Sequence, residues 1–307
     1  MFRLIASRIL QAIPTLLVLI TISFFLMHVA PGNPFSSDKV YPPEVMANIN
    51  AKYGLDKPVF IQYLNYLYGL LQWDFGPSFV YKDISVNQLI AQSFPISVKI
   101  GVIAFAIVVF IGIGIGIVAA IKQNTWIDYV IMTFAMVGVV VPSFILAPLS
   151  VLIFAIFLKW LPSGGYNDGG LKFMILPVIT LGIGYIASIA RLTRSSMIEV
   201  LNASFIRTAK AKGLNMKYII IHHALKPSLI PVVSYLGPAF VGIITGSVVI
   251  ETVFGIPGIG QLFVNGALNR DYSLVLSLTI LVGALAIAFN TIVDIIYTIL
   301  DPKISTK

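Results

Sequence analysis

The chain has 307 residues, 58% hydrophobic and only 10% charged, with a mean hydropathy of +0.96. Soluble domains run near a quarter charged, so this composition excludes an ordinary soluble protein and points to a polytopic membrane protein. The absence of cysteine excludes disulfide staples, thiolate nucleophiles and Cys-based metal sites.

In chain order, apolar runs long enough to cross the roughly 30 Å of bilayer hydrocarbon lie near 9–30, 97–121, 129–158, 173–192, 229–250 and 274–299. Six helices put both termini on one side, and Arg3 and Arg8 before the first span favour the cytoplasm. On that topology the inner face carries twelve basic residues against four acidic, which accounts for the whole net charge of +8. A one-sided charge of this kind is what the positive-inside rule expects and removes the reason to invoke nucleic acid. The first span exceeds the roughly 7–15 apolar residues of a signal-peptide core, so we read it as a retained helix. The chain divides into an N-terminal span (1–30), an outer loop region with short helices (31–96) and a transmembrane domain (97–303), within which 203–227 is a cytoplasmic segment.

In the outer loop, "YPPEVMANINAKYGL" offers Pro43 and Glu44 at a helix start and Gly54 as its stop. Next, "VFIQYLNYLYGLLQWDFG" places Phe60, Tyr63, Leu64, Leu67, Leu70 and Leu71 on one helical stripe, with Tyr66, Tyr68 and Trp73 beside it. A helix at the interface is expected, either a lid on the bundle rim or a docking platform for an outside partner.

Within the spans, "GIGIGIV" at 112–118, Pro142 and Pro148 in the third, and Pro231 and Pro238 in the fifth mark close packing or breaks along a pathway. The intramembrane polar residues Ser143, Ser234, Tyr235, Thr245, Ser247 and Asn290 are candidates for a translocation path, against the plainer reading of interhelical hydrogen bonding. Ionisable residues avoid the middle of the spans. Asp294, near the inner end of the sixth, is the most deeply placed. That counts against an ion-coupled carrier, which needs titratable groups in the bundle.

No G-x-x-x-x-G-K-[ST] occurs, so the chain has no P-loop of its own. The glycine run lacks the strand and spacing of a dinucleotide fingerprint. His28 is far from the adjacent His222 and His223, whose rings diverge on a helix, so no metal site is expected. Headgroup contacts or a solvated face suit them better.

Between the fourth and fifth spans, "FIRTAKAKGLNMKYIIIHHALKP" (205–227) gathers most of the inner charge. Asn202 or Ser204 can cap a helix, Gly213 supplies a left-handed stop with Lys210 and Lys212 in the last turn, and a second short helix runs to Pro227. Thr208, Ala209 and Ala211 leave room for another protein to approach. A basic segment held by anionic lipid fits the same residues.

The run Arg207-Thr208-Ala209-Lys210-Ala211-Lys212-Gly213-Leu214, followed by His223-Ala224-Leu225-Lys226-Pro227, resembles the cytoplasmic coupling motif of permease subunits in bacterial binding-protein-dependent ABC importers. The interleaved lysines, and Lys226 between Leu225 and Pro227, depart from the general Glu-Ala-Ala form and are similar to the peptide and nickel branch. "GSVVIETVFGIPGIGQLFVNGALNRDYSLV" (246–275) is characteristic of that branch. The opening "RLIASRILQAIPTLLVLITISFFLMHVAPGNPF", with "PPEVMANINAKYGL" and "DFGPSF", resembles its oligopeptide members. The resemblance implies an all-α, six-span transmembrane domain of the type I importer class, in the inner membrane and not itself an enzyme. Its implied partners are a second permease subunit, two ATP-binding subunits that use ATP and Mg, an extracytoplasmic peptide-binding protein and membrane lipid. No cofactor would be bound by this chain. Dipeptide or nickel permeases of the same branch, and more remotely a secondary transporter, are the alternatives.

Overall fold

The computed structural model describes residues 2–29, 44, 50, 51 and 54–300, and among them the chain is helical apart from turns and one isolated bridge between Pro77 and Ser85. The helix expected around Pro43 and Glu44 falls largely outside the described residues. The helices are α1 (Phe2–Val29), α2 (Val59–Leu71), α3 (Val86–Ile121), α4 (Trp126–Val140), α5 (Ser143–Ser150), α6 (Leu171–Leu201), α7 (Ser204–Ala211), α8 (Met216–Ile219), α9 (Leu225–Phe254), α10 (Ile259–Leu268) and α11 (Tyr272–Leu300). Five helical stretches are long and apolar enough to cross a membrane, and Trp126–Val140 with Ser143–Phe157, bent by 106°, makes a sixth if the pair is one broken span and not a re-entrant loop. Five of the six expected spans are therefore continuous helices, and the third is the bent pair.

Proline explains the break. Val141 takes an extended conformation, φ −83° and ψ 117°, and Pro142 then starts α5. A residue before proline is pushed out of the α region by the ring, and proline itself supplies no amide to continue the ladder. Pro148 lies inside α5, and the chain answers it with a π turn at Val151–Phe157, a common way to absorb a ladder fault.

Two compact units divide the chain. The first comprises 1–8, 98–256 and 286–307. Its centre is α6, packed against α4 and α9. In lipid, apolar burial between helices gains little, so close approach of small residues carries more of the association. Gly116 shows this: a Cβ there would lie 2.6 Å from both the Ala190 carbonyl oxygen and the Thr193 Cβ on α6, so only glycine lets α3 come this near. Gly112 faces α6 in the same way, while Gly114 looks into open space, which is the four-residue periodicity of one helix face. Phe105 meets Phe240 and Phe289 edge-on at 5.3 and 5.4 Å, joining α3, α9 and α11.

The bent span is braced by charge. Arg194 on α6 donates from Nε and Nη2 to both carboxylate oxygens of Asp128 at 2.6 Å each, and the Asn124 amide donates to Asp128 at 2.9 Å. Asp128 is only 1% exposed. Arg8 pairs with Asp294 at 2.9 Å in a half-exposed position, so the deepest carboxylate of the sixth span is engaged.

The second unit comprises 9–97 and 257–285. Asp271 caps α11 through the Leu274 amide and also accepts from Ser78 Oγ and the Phe79 amide, which ties the loop before α3 to the start of α11. Val86, Leu89 and Ile90 then pack on Ile259, Leu274 and Leu278. Helix α2 exists as expected, but its inward face is Tyr63, Tyr66, Leu67 and Leu70, whereas Phe60, Leu64 and Leu71 are exposed. Polar tethers set this rotation: Tyr63 and Thr21 hydroxyls share a hydrogen bond of 2.7 Å, and Tyr66 lies 3.4 Å from Ser277 Oγ.

Candidate coupling segment and intramembrane cavity

The segment after α6 is built by end-capping. Helix α7 starts at Ala203, which offers no side-chain cap, and Ser204 is already its first helical residue. Asn202 closes α6 instead, donating from Nδ2 to the Ile198 carbonyl at 3.0 Å, so neither expected N-cap serves α7. At the other end, Gly213 sits at φ +76°. Its amide donates to the Lys210 carbonyl at 3.0 Å, and the Leu214 amide reaches the Ala209 carbonyl at 3.3 Å. This pair of bonds is a Schellman motif, which needs the left-handed residue that glycine adopts without steric penalty. Asn215 Oδ1 then accepts from the Tyr218 amide at 2.8 Å and opens α8. The signal for that cap in the sequence is Asn215 itself, since the donor is a backbone amide.

The second short helix does not stop at Pro227. A π turn at Ile220–Ala224 joins α8 to α9, and the helical stretch runs unbroken from Met216 to Phe254. Pro227 falls inside that stretch, in the first turn of α9 and directly after the π turn.

One face of α7 is anchored. Ile206 is fully buried and Ala209 nearly so, packed with Met197, Ile219, Ala224 and Ala120. Ala209 therefore faces its own bundle rather than a partner, because it lies three residues from Ile206 on the same stripe. Arg207, Thr208, Lys210, Ala211, Lys212, Gly213 and Leu214 are exposed, alongside Phe205, Met216, Tyr218 and Ile221. The result is a short rigid knob with an apolar and cationic outer surface. His222 stacks on Tyr218 at 4.1 Å, and His28 accompanies Phe24 and Gln62 elsewhere.

The candidate path residues divide. Ser143 and Tyr235 meet in a cavity of about 230 Å³ at the Val141–Pro142 break, together with Thr180, Tyr185 and Ser188. A second cavity of about 240 Å³ continues from Ser188 and Tyr235 to Arg191, Leu192 and Ser195. Ser234 and Thr245 bond to carbonyls of their own helix and are exposed, while Ser247 is buried and bonds to the Ile244 carbonyl at 2.6 Å. Those three act as local hydrogen-bonding residues and line neither cavity. Asn290 presses its Oδ1 against Gly237, joining α9 to α11. The polar stripe Tyr185, Ser188, Arg191 and Ser195 was missed, although its three- and four-residue spacing along α6 is the signal that marks one face.

Residues 112–306 match the family described as "Binding-protein-dependent transport system inner membrane component", and residues 1–101 match its N-terminal companion. Oligopeptide transport system permease protein OppB is 66% identical in Escherichia coli K12 and 64% in Haemophilus influenzae, over 99% of each chain. The dipeptide transport system permease protein DppB of Bacillus subtilis is 41% identical over 99% of this chain and 98% of its own. Among solved structures, the MetNI methionine ABC transporter in inward-facing form aligns with a TM-score of 0.57 at 16% identity, over 69% of this chain and 96% of that one. An amino acid ABC transporter gives 0.52 at 13% identity, over 69% and 94%. These structural likenesses establish the fold, an all-helical type I importer transmembrane domain, and the full-length matches establish that the chain belongs to the binding-protein-dependent transport system inner membrane components.

Proposed function

We propose that this protein is a permease subunit of an ATP-driven importer that carries oligopeptides across the inner membrane. The observation that carries the reading is the full-length identity of 64–66% to oligopeptide permease proteins, against 41% to the dipeptide permease of Bacillus subtilis. The engagement of Asp128 and Asp294 by arginines further disfavours an ion-coupled carrier, which needs a carboxylate able to take its ion.

Both termini and the α7–α8 segment lie in the cytoplasm on this reading, as the one-sided charge supports. The exposed surface around Arg207, Lys210, Lys212 and Leu214 seats in a groove of a partner subunit that binds ATP and Mg, while Ile206 keeps the knob fixed to the bundle. Closure of the ATPases then moves the bundle, provided that contacts differ between inward- and outward-facing states. A second permease completes the pore and an extracytoplasmic binding protein delivers peptide. The chain itself binds no nucleotide and catalyses no reaction.

A mild-detergent pull-down on the tagged chain tests this. Recovery of a second permease and two ATP-binding subunits is expected. Recovery of a lone homodimer, or ATP binding by the purified chain above background, would overturn it.

A further inference from the structure

Helix α6 carries two arginines one turn apart with opposite fates. Arg194 is locked, both faces of its fork given to the buried Asp128. Arg191 enters no ion pair or hydrogen bond among the described residues. Its side chain is exposed and lines the cavity that it shares with Ser188, Ser195 and Tyr235. Through Ser188 and Tyr235 that cavity adjoins the one at the Val141–Pro142 break, where Tyr185 and Ser143 add further hydroxyls. A stripe of neutral donors and acceptors thus ends at a single uncommitted cation.

We propose that Arg191 is a substrate-contacting residue that receives the C-terminal carboxylate of a peptide passing along α6. The inference rests on the import reading above. A planar guanidinium matches a carboxylate with two parallel hydrogen bonds, which an ammonium cannot reproduce. Every unblocked linear peptide ends in that group whatever its sequence, so one fixed cation serves a mixed set of substrates. The hydroxyls of Ser188, Ser195 and Tyr235 can both donate and accept, and so suit peptide amides without reading side chains. Exposure keeps the contact weak enough to release: a solvated ion pair is a stopping place and not a trap. An anionic lipid headgroup offers the same charge, and the test separates the two sources.

The complete transporter, with its partner subunits and binding protein, is reconstituted in liposomes. Uptake of one peptide is measured as the free acid and as the C-terminal amide, for the parent and for Arg191→Gln. The ratio of variant to parent rate, taken for each form, cancels any preference of the binding protein. Acid uptake should fall about fivefold, the effect of one solvated ion pair of about 1 kcal/mol, while amide uptake and basal ATPase activity stay within about twofold of the parent. Arg191→Lys should lose part of the acid effect, and it carries the test if Arg191→Gln fails to assemble. Equal losses for both forms, or no loss for the acid in either variant, would overturn the proposal. Equal losses that track the anionic-lipid content of the liposomes would overturn it in favour of a headgroup contact. A parent complex that takes up neither form would overturn the import reading, and this inference with it.

Discussion

Two interruptions of helix, at Gly213 and at Val141–Pro142, treat their backbones in opposite ways. At Gly213 the loose ends are closed: two Schellman bonds finish α7, and Asn215 caps α8. At Pro142 no side chain caps α5, proline brings no amide, and a largely apolar cavity carrying the hydroxyls of Ser143, Thr180, Tyr185, Ser188 and Tyr235 opens beside the break. Irregular backbone inside a membrane is tolerated where it lines a cavity or is buried in protein. A closed interruption is a rigid joint that can transmit displacement. An open one is a place where polar cargo can replace missing partners.

The sharpest way to break this contrast is to remove the brace of the open joint. Arg194→Met leaves Asp128 buried without its counter-charge and should cost about 3–5 kcal/mol, seen as a large drop in the thermal midpoint of the solubilised complex. An unchanged midpoint would mean that the pair does not hold α4 to α6. Next comes the closed joint: Gly213→Val forces a β-branched residue to positive φ, at roughly 1–3 kcal/mol of local strain. ATP hydrolysis should continue while peptide uptake falls, and normal uptake would refute the role given to α7. Since open space surrounds Gly213, strain and not collision is the cause, so Gly213→Asn should retain more transport than Gly213→Val.

Smaller effects sharpen the comparison. Asn215→Ala removes one cap and should destabilise the segment by about 1 kcal/mol, detectable as faster amide exchange at Met216–Ile219 with the bundle unaffected. Asp294→Asn loosens a half-exposed pair and should shift stability by less than about 1 kcal/mol. A collapse of transport in that variant would revive an ion-coupled role for the sixth span.

The spans themselves were legible, because about twenty apolar residues leave few alternatives to a helix in lipid. Gly213 was legible for a related reason: a lone glycine after basic helix formers has few other uses. The rotation of α2 was not. Its stripe was read from hydrophobicity, but Tyr66 turns inward to Ser277 and Leu71 turns out, since hydroxyl partners and the buried cluster of Phe24, Leu276 and Ile280 lie on the same side. Ala209 was assigned to a partner face by its size alone, whereas its distance from Ile206 decides that it packs inward. The stripe on α6 was hidden because Ser188 and Ser195 are unremarkable singly. Only the bend at Pro142 brings Ser143 into the cavity with Ser188.

The π turn at Ile220–Ala224 has a mechanical meaning. By widening one turn it lets the chain pass Pro227 without stopping, so α8 and α9 form a single shaft from Met216 to Phe254 of 39 residues, about 58 Å long at 1.5 Å per residue. On the proposed function, a push on the knob of α7 would reach one end of that shaft through Ile206 and Ile219, which share a buried cluster. Tyr235 lies about halfway along it. A tilt of about five degrees about one end sweeps the other by roughly 5 Å for a rod of that length, the scale of one helical turn. On that reading the shaft works as a crank, with the segment around Gly213 as its handle and a throw fixed by the length of uninterrupted helix.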